Sequence, residues 1–225
     1  MKNKKLLSIV SAVALTCAIG VTGSYAYLSN QTGEVTNTFT AVSPGLIDPE
    51  TPDPDNPYSY GFALKEHKAG ERTDIKADGF NVKLDTTKYV DTNTYKFLPG
   101  DVGQKDPTVY IDKDFKTEVA AYAYVAVKMP ANGKVTASVD TTKWTDTGLT
   151  TAAGAKVYVY TNGGSSPVVI VNEAGNANSM TADLAIPVLK DSKYTVADDV
   201  AIGENEADEE IKIKAYLAQQ IDASA

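Results

Sequence analysis

The sequence has almost none of the residues from which many enzyme centres are built. Among 225 residues there is one cysteine, Cys17, one histidine, His67, and one tryptophan. A zinc hydrolase needs several nitrogen, sulfur or carboxylate ligands, commonly two histidines one helical turn apart. His67, in Lys65-Glu66-His67-Lys68, cannot supply that set, and it is expected to be a solvated loop residue. A Ser–His–Asp triad would need the same histidine, and Ser165-Ser166 lie in a Gly-rich stretch rather than a G-x-S-x-G elbow. Nothing selects one carboxylate pair for glycoside hydrolysis. A disulfide framework is excluded as well. Basic excess is also missing: 21 Lys and Arg stand against 29 Asp and Glu, a net charge of −8. An acidic surface repels nucleic acid and anionic lipid.

What is there begins with an export signal. Lys2, Lys4 and Lys5 form a positive start, Leu6 to Val21 is apolar and uncharged, and Gly23-Ser24-Tyr25-Ala26 ends it with small residues. That order is a secretory signal peptide over 1–26, with Ser24 and Ala26 before the cut and Tyr27 as the new N-terminus. The apolar run is short for a retained span, which needs about 20 residues. Cys17 sits inside that run beside Thr16, which argues against acylation. Loss of the three lysines takes the net charge from −8 to −11. The mature chain then has no cysteine and must be held by its core and its sheet hydrogen bonds.

Three regions follow. Residues 27–43 read as an extended, Thr-rich strand segment too polar to carry a core. Residues 44–57 contain Pro44, Pro49, Pro52, Pro54 and Pro57 among Asp48, Glu50, Asp53 and Asp55, the composition of a polyproline-like spacer or surface loop. Residues 58–225 read as one all-β domain. Strands are expected at Tyr58 to Leu64, Thr108 to Asp112, Glu118 to Lys128, Lys134 to Val139, Ala155 to Thr161, Val168 to Val171, Thr181 to Leu189 and Glu210 to Leu217. Val119, Ala121, Ala123, Val125 and Val127 share one face of their strand while Tyr122 and Tyr124 take the other, so it should be central and covered on both sides. Asn162-Gly163-Gly164 predicts a hairpin between its flanking strands. Ala197 to Glu210 is acidic and reads as a loop. Short strands with turns between them make a jelly-roll-like antiparallel β-sandwich.

Three stretches, taken in order, resemble the TasA/camelysin family of exported bacterial biofilm-matrix proteins. They are Gly23-Ser24-Tyr25-Ala26-Tyr27 with Asn37-Thr38-Phe39-Thr40; then Leu98-Pro99-Gly100-Asp101 and Lys105-Asp106-Pro107-Thr108-Val109 with Tyr122 to Lys128; then Ile211-Lys212-Ile213-Lys214-Ala215-Tyr216 with Gln219-Gln220. The resemblance implies a jelly-roll domain, export through a dedicated signal peptidase, and assembly into extracellular fibres. In such fibres the N-terminal segment of one subunit completes the sheet of the next. This chain departs from the pattern where Val42-Ser43-Pro44-Gly45 interrupts the strand that usually follows. The expected assembly residues are Val35, Thr36, Thr38, Phe39 and Val42.

The weighed remainder is small. Asp112, Asp114 and Glu118 are the one candidate for calcium, but their spacing lacks the Gly turn and further ligands of an EF-hand loop. A solvated connection is expected there, with no cofactor. The 13 tyrosines read as sheet packing, with a carbohydrate-binding face as the weaker option. The function expected is a secreted, non-catalytic fibre subunit of the extracellular matrix or cell surface. Its partner is itself, together with other matrix or cell-wall components, and neither nucleic acid nor, after signal removal, membrane. The rival is a monomeric surface binding module or adhesin of the same fold.

Overall fold

The computed structural model describes residues 29–31, 53–115, 120–131, 133–170, 180–199 and 210–219. Strands of period two bury one apolar face each, and two such sheets close on one another. The first sheet runs β1 (Ser29–Gln31), β13 (Lys212–Gln219), β6 (Ala121–Lys128), β9 (Lys156–Tyr160), β8 (Trp144–Thr150), with β10 (Val169–Ile170) also on β6. The second runs β11 (Leu184–Pro187), β5 (Thr108–Ile111), β2 (Phe62–Ala77), β3 (Phe80–Val90), β4 (Val102–Gln104), β12 (Lys193–Val196), β7 (Val135–Thr136). All the pairings are antiparallel except the contact of β3 with β4 at Val82 and Gly103. The chain is thus an all-β, jelly-roll-like sandwich.

The register of β6 with β13 sets Ala123 opposite Leu217, Val125 opposite Ala215 and Val127 opposite Ile213. All six are buried in the core, facing Phe62, Leu64, Val109 and Ile111 of the other sheet. Each such Val, Ile, Leu or Phe contributes about 1.5–3 kcal/mol by leaving water. The opposite face of the pair sets Tyr124 against Tyr216, both half-buried. β6 is therefore central in its sheet as expected, with one face in the core and the other half-buried at Tyr122 and Tyr124 rather than covered, while Glu118 and Val119 lie outside the described residues. Ile211, Ile213, Ala215 and Leu217 are buried as the alternation of their strand predicts. Trp144 is fully buried and donates from Nε1 to the Pro187 carbonyl at 2.8 Å, joining the edge of one sheet to the edge of the other.

Two expectations are corrected. The Asn162-Gly163 turn does form, with φ of 48° and 80°, but it does not make a hairpin. β9 lies along Tyr124 to Val127 of β6, and β10 continues the same line at Tyr122 and Ala121. Residues 161–168 are an excursion from one interrupted strand, closed by the Val168 N–H on the Tyr160 carbonyl at 2.9 Å. Gly-rich turn chemistry reports a reversal of the chain but not what the chain pairs with afterwards. The second correction concerns Tyr58 to Leu64. Pro57–Tyr60 is a 3₁₀ turn, and β2 runs on far beyond Leu64 into a long hairpin with β3 through the two-residue turn Asp78-Gly79, φ 57° and 84°. Most of that hairpin is exposed and polar, so it carries no apolar alternation to announce it.

Candidate functional site

β2 changes partner after Lys65. Phe62 to Lys65 pair with β5, and from Glu66 onward the strand pairs with β3. At that fork the segment 91–106, which joins β3 to β4 and β5, is bound to β2 by four ion pairs with at least one largely buried side chain, besides the exposed pair Lys96–Glu71. Lys65 Nζ meets Asp91 Oδ1 at 2.7 Å, Glu66 Oε2 meets Lys105 Nζ at 2.8 Å, and His67 Nδ1 meets Asp106 Oδ2 at 2.6 Å. Arg72 clasps Asp101 through Nε at 2.5 Å and Nη2 at 3.0 Å. Asn93 adds a neutral bracket: its Nδ2 donates to Glu66 Oε1 at 2.7 Å and to the His67 carbonyl at 2.8 Å, and its Oδ1 accepts the Ala69 N–H at 2.7 Å.

These pairs are not surface decoration. The Glu66 side chain is 0% exposed and that of Lys105 7%. Removing two charges from water costs several kcal/mol each, which only good geometry and full hydrogen bonding offset. Here both carboxylate oxygens of Glu66 are engaged, one by Lys105 and one by Asn93. The Tyr95 ring lies 5.1 Å from the Lys105 ammonium and packs edge-on against Tyr194 at 5.0 Å. Burial, and then the neighbouring charge of Glu66, hold the Tyr95 phenol far above its ordinary pKa. Both tyrosine hydroxyls are buried, and the walls of the site are aromatic.

Asp101 sits at the end of the tight turn Leu98-Pro99-Gly100-Asp101. Its N–H closes the turn on the Leu98 carbonyl at 3.1 Å, and its Oδ2 accepts the Leu98 N–H at 2.7 Å. Burial opposes its ionisation, but the Arg72 guanidinium and the Leu98 N–H outweigh that and hold its pKa below the usual carboxylate value. On the outer face His67 stacks on Tyr89 at 4.4 Å, and Tyr110 receives Tyr89 and Tyr58 edge-on at 5.7 and 5.2 Å.

His67 is therefore not a solvated loop residue. It lies within β2, 16% exposed, paired with Asp106. The sequence read as a loop because its neighbours Lys65, Glu66 and Lys68 are charged; each of the first two is buried by a partner some 26 or 39 residues away. Asp112 and Asp114 lie together, the Asp114 N–H on Asp112 Oδ1 at 2.6 Å, with Lys113 paired to Asp114 and its N–H on Asp183. Among the described residues no three His, Cys, Asp or Glu side chains converge as a metal site. Glu118, the cleavage residues Ser24, Ala26 and Tyr27, and the assembly residues Val35, Thr36, Thr38, Phe39 and Val42 lie outside the described residues.

A second feature sits on the opposite sheet. β1 adds to β13, with Ser29 opposite Ala218, Asn30 opposite Leu217 and Gln31 opposite Tyr216. A three-residue strand from within the 27–43 segment thus lies on the C-terminal strand of the sandwich.

Of the fork residues the sequence singles out His67, within Lys65-Glu66-His67-Lys68, and, as parts of motifs, Asp101, Lys105 and Asp106; Arg72, Asp91 and Asn93 it does not. Alternating charge in Lys65-Glu66-His67 followed by Asp91, Asp101 and Lys105-Asp106 was the available signal. No family model, curated protein or solved structure matches this chain.

Proposed function

We propose that this chain is a secreted, non-catalytic structural subunit of an extracellular matrix fibre, growing head to tail by exchange of its N-terminal strand. The observation that carries the reading is the docking of Ser29–Gln31 on β13. A strand added at the end of the sheet, and followed by a Pro-rich stretch before the sandwich begins, suits exchange. The same backbone pairing made on a neighbour replaces the internal one at little cost. Residues 44–57 as a polyproline-like spacer would reach roughly 40 Å at about 3.1 Å per residue, comparable with the width of a small domain. Head-to-tail pairing does not close on itself, so it gives filaments rather than dimers.

The sequence resemblance to the TasA/camelysin family supports the same reading, as do the export signal and the acidic, cysteine-free mature chain. Electron microscopy of protein beginning at Tyr27, beside protein lacking residues 27–43, tests it. Filaments are expected from the first and folded monomer from the second, with an added 27–43 peptide capping growth. Equal polymerisation of the truncated chain would refute strand exchange.

A further inference from the structure

The buried trio of Lys105, Glu66 and Asn93 is more than an ion pair with a bracket. It holds a primary amine and a carboxamide on the two oxygens of one carboxylate, at 2.8 and 2.7 Å, in a buried site with an aromatic wall. Those are the parts of an acyl transfer: a nucleophile, a general acid–base touching both reacting groups, and an acyl carbon whose oxygen is polarised by a donor. The donor is the Ala69 N–H, 2.7 Å from Asn93 Oδ1.

We propose that Lys105 and Asn93 join in a self-catalysed intramolecular isopeptide bond, with Glu66 as the catalytic residue. Lys105 Nζ gives a proton to Glu66 Oε2 and, as a free amine, attacks Asn93 Cγ. The new C–N bond pushes an electron pair onto Oδ1, where the Ala69 N–H stabilises it. Glu66 passes its proton to Nδ2, the electron pair on Oδ1 re-forms the carbonyl, the C–Nδ2 bond breaks with its pair on nitrogen, and ammonia leaves. The second Nζ proton moves to Glu66. The products are one secondary amide, one ammonia and a protonated Glu66. No oxidant or co-reactant takes part.

The energetics of the site favour this outcome. A lysine and a glutamate that are costly to bury as ions become a neutral amide and a neutral acid. The bond closes the loop 93–105, a covalent constraint on the unfolded chain of the kind a disulfide supplies. The mature chain has no cysteine with which to make one.

Peptide mapping by mass spectrometry of the denatured, trypsin-digested full chain tests the proposal. The expected product is a branched peptide in which Tyr89 to Lys96 is joined to Phe97 to Lys113, lighter by one ammonia and uncut at Lys105. Lys105→Arg and Glu66→Gln should give only separate linear peptides. Asn93→Asp should still give the branched peptide, at the same mass, with water as the leaving group. Because Glu66→Gln can fail to fold, the wild-type map decides the matter alone: linear Tyr89 to Lys96 and Phe97 to Lys105 without the branched product overturns the bond. A folded Glu66→Gln variant that forms the branched peptide as fully as wild type overturns the role of Glu66.

Discussion

Asp101 closes its own turn and, with the same carboxylate, anchors Arg72 from β2. Replacing it with Asn keeps the shape and removes the charge. Hydrogen bonds to charged groups are typically worth more than neutral ones, so Asp101→Asn should cost about 2 kcal/mol in urea unfolding at neutral pH. Because the folded-state pKa of Asp101 is depressed, its contribution is present above the unfolded value of about 3.9 and is lost as pH falls through the folded one. The gap between wild type and Asp101→Asn should therefore narrow below about pH 4, and a gap that widens there would contradict the assignment. Gly103 is fixed by a neighbour rather than by its own backbone. A Cβ there would land inside the Tyr194 ring, so Gly103→Ala should cost about 1–3 kcal/mol, measured as a lowered denaturation midpoint. At this scale the turn was readable in principle, since Pro99 and then Gly100, at φ 75°, are what such a turn asks for, although in the sequence these residues stood out only as part of a resemblance. It could not show Arg72, whose meeting with Asp101 depends on register set 29 residues away.

Among elements, β6 was the most legible, because both of its faces are apolar and period two cannot be mistaken over eight residues. Val125 is fully buried opposite Ala215. Val125→Asp would bury an unpaired carboxylate at a cost of several kcal/mol, against a total stability of about 5–15 kcal/mol for such domains. The variant should not accumulate as folded protein by circular dichroism, and a wild-type melting temperature would mean that the strand's packing is misassigned. The β2–β3 hairpin was not legible, since exposed strands have no need of apolar alternation. Its turn, Asp78-Gly79, was a readable reversal signal whose flanks gave no support. The excursion at 161–168 shows the converse, a strong turn signal inside a strand that carries on along β6 after the detour. Partner choice among strands is set by the whole sandwich, and local sequence does not encode it.

For the whole molecule, the sandwich followed from many short strands without helical period, and the fork at Glu66 did not. Buried ions look like surface to any reading that equates charge with exposure, and only the tertiary pairing of Lys65, Glu66 and His67 with 91–106 brings them inside. The account of function turns on where β1 pairs. In the closed chain Ser29 lies opposite Ala218, and antiparallel neighbours come within the Cα separation that a disulfide requires. Cys17 is the one cysteine, so protein beginning at Tyr27 offers a cysteine-free background. One preparation would carry Ser29→Cys alone and a second Ala218→Cys alone, the two mixed before assembly and oxidised afterwards. Strand exchange predicts disulfide-linked heterodimers in the filament fraction, absent from either variant oxidised by itself. Filaments that form from the mixture without any such link, while the doubly substituted chain closes only within single molecules, would contradict the account.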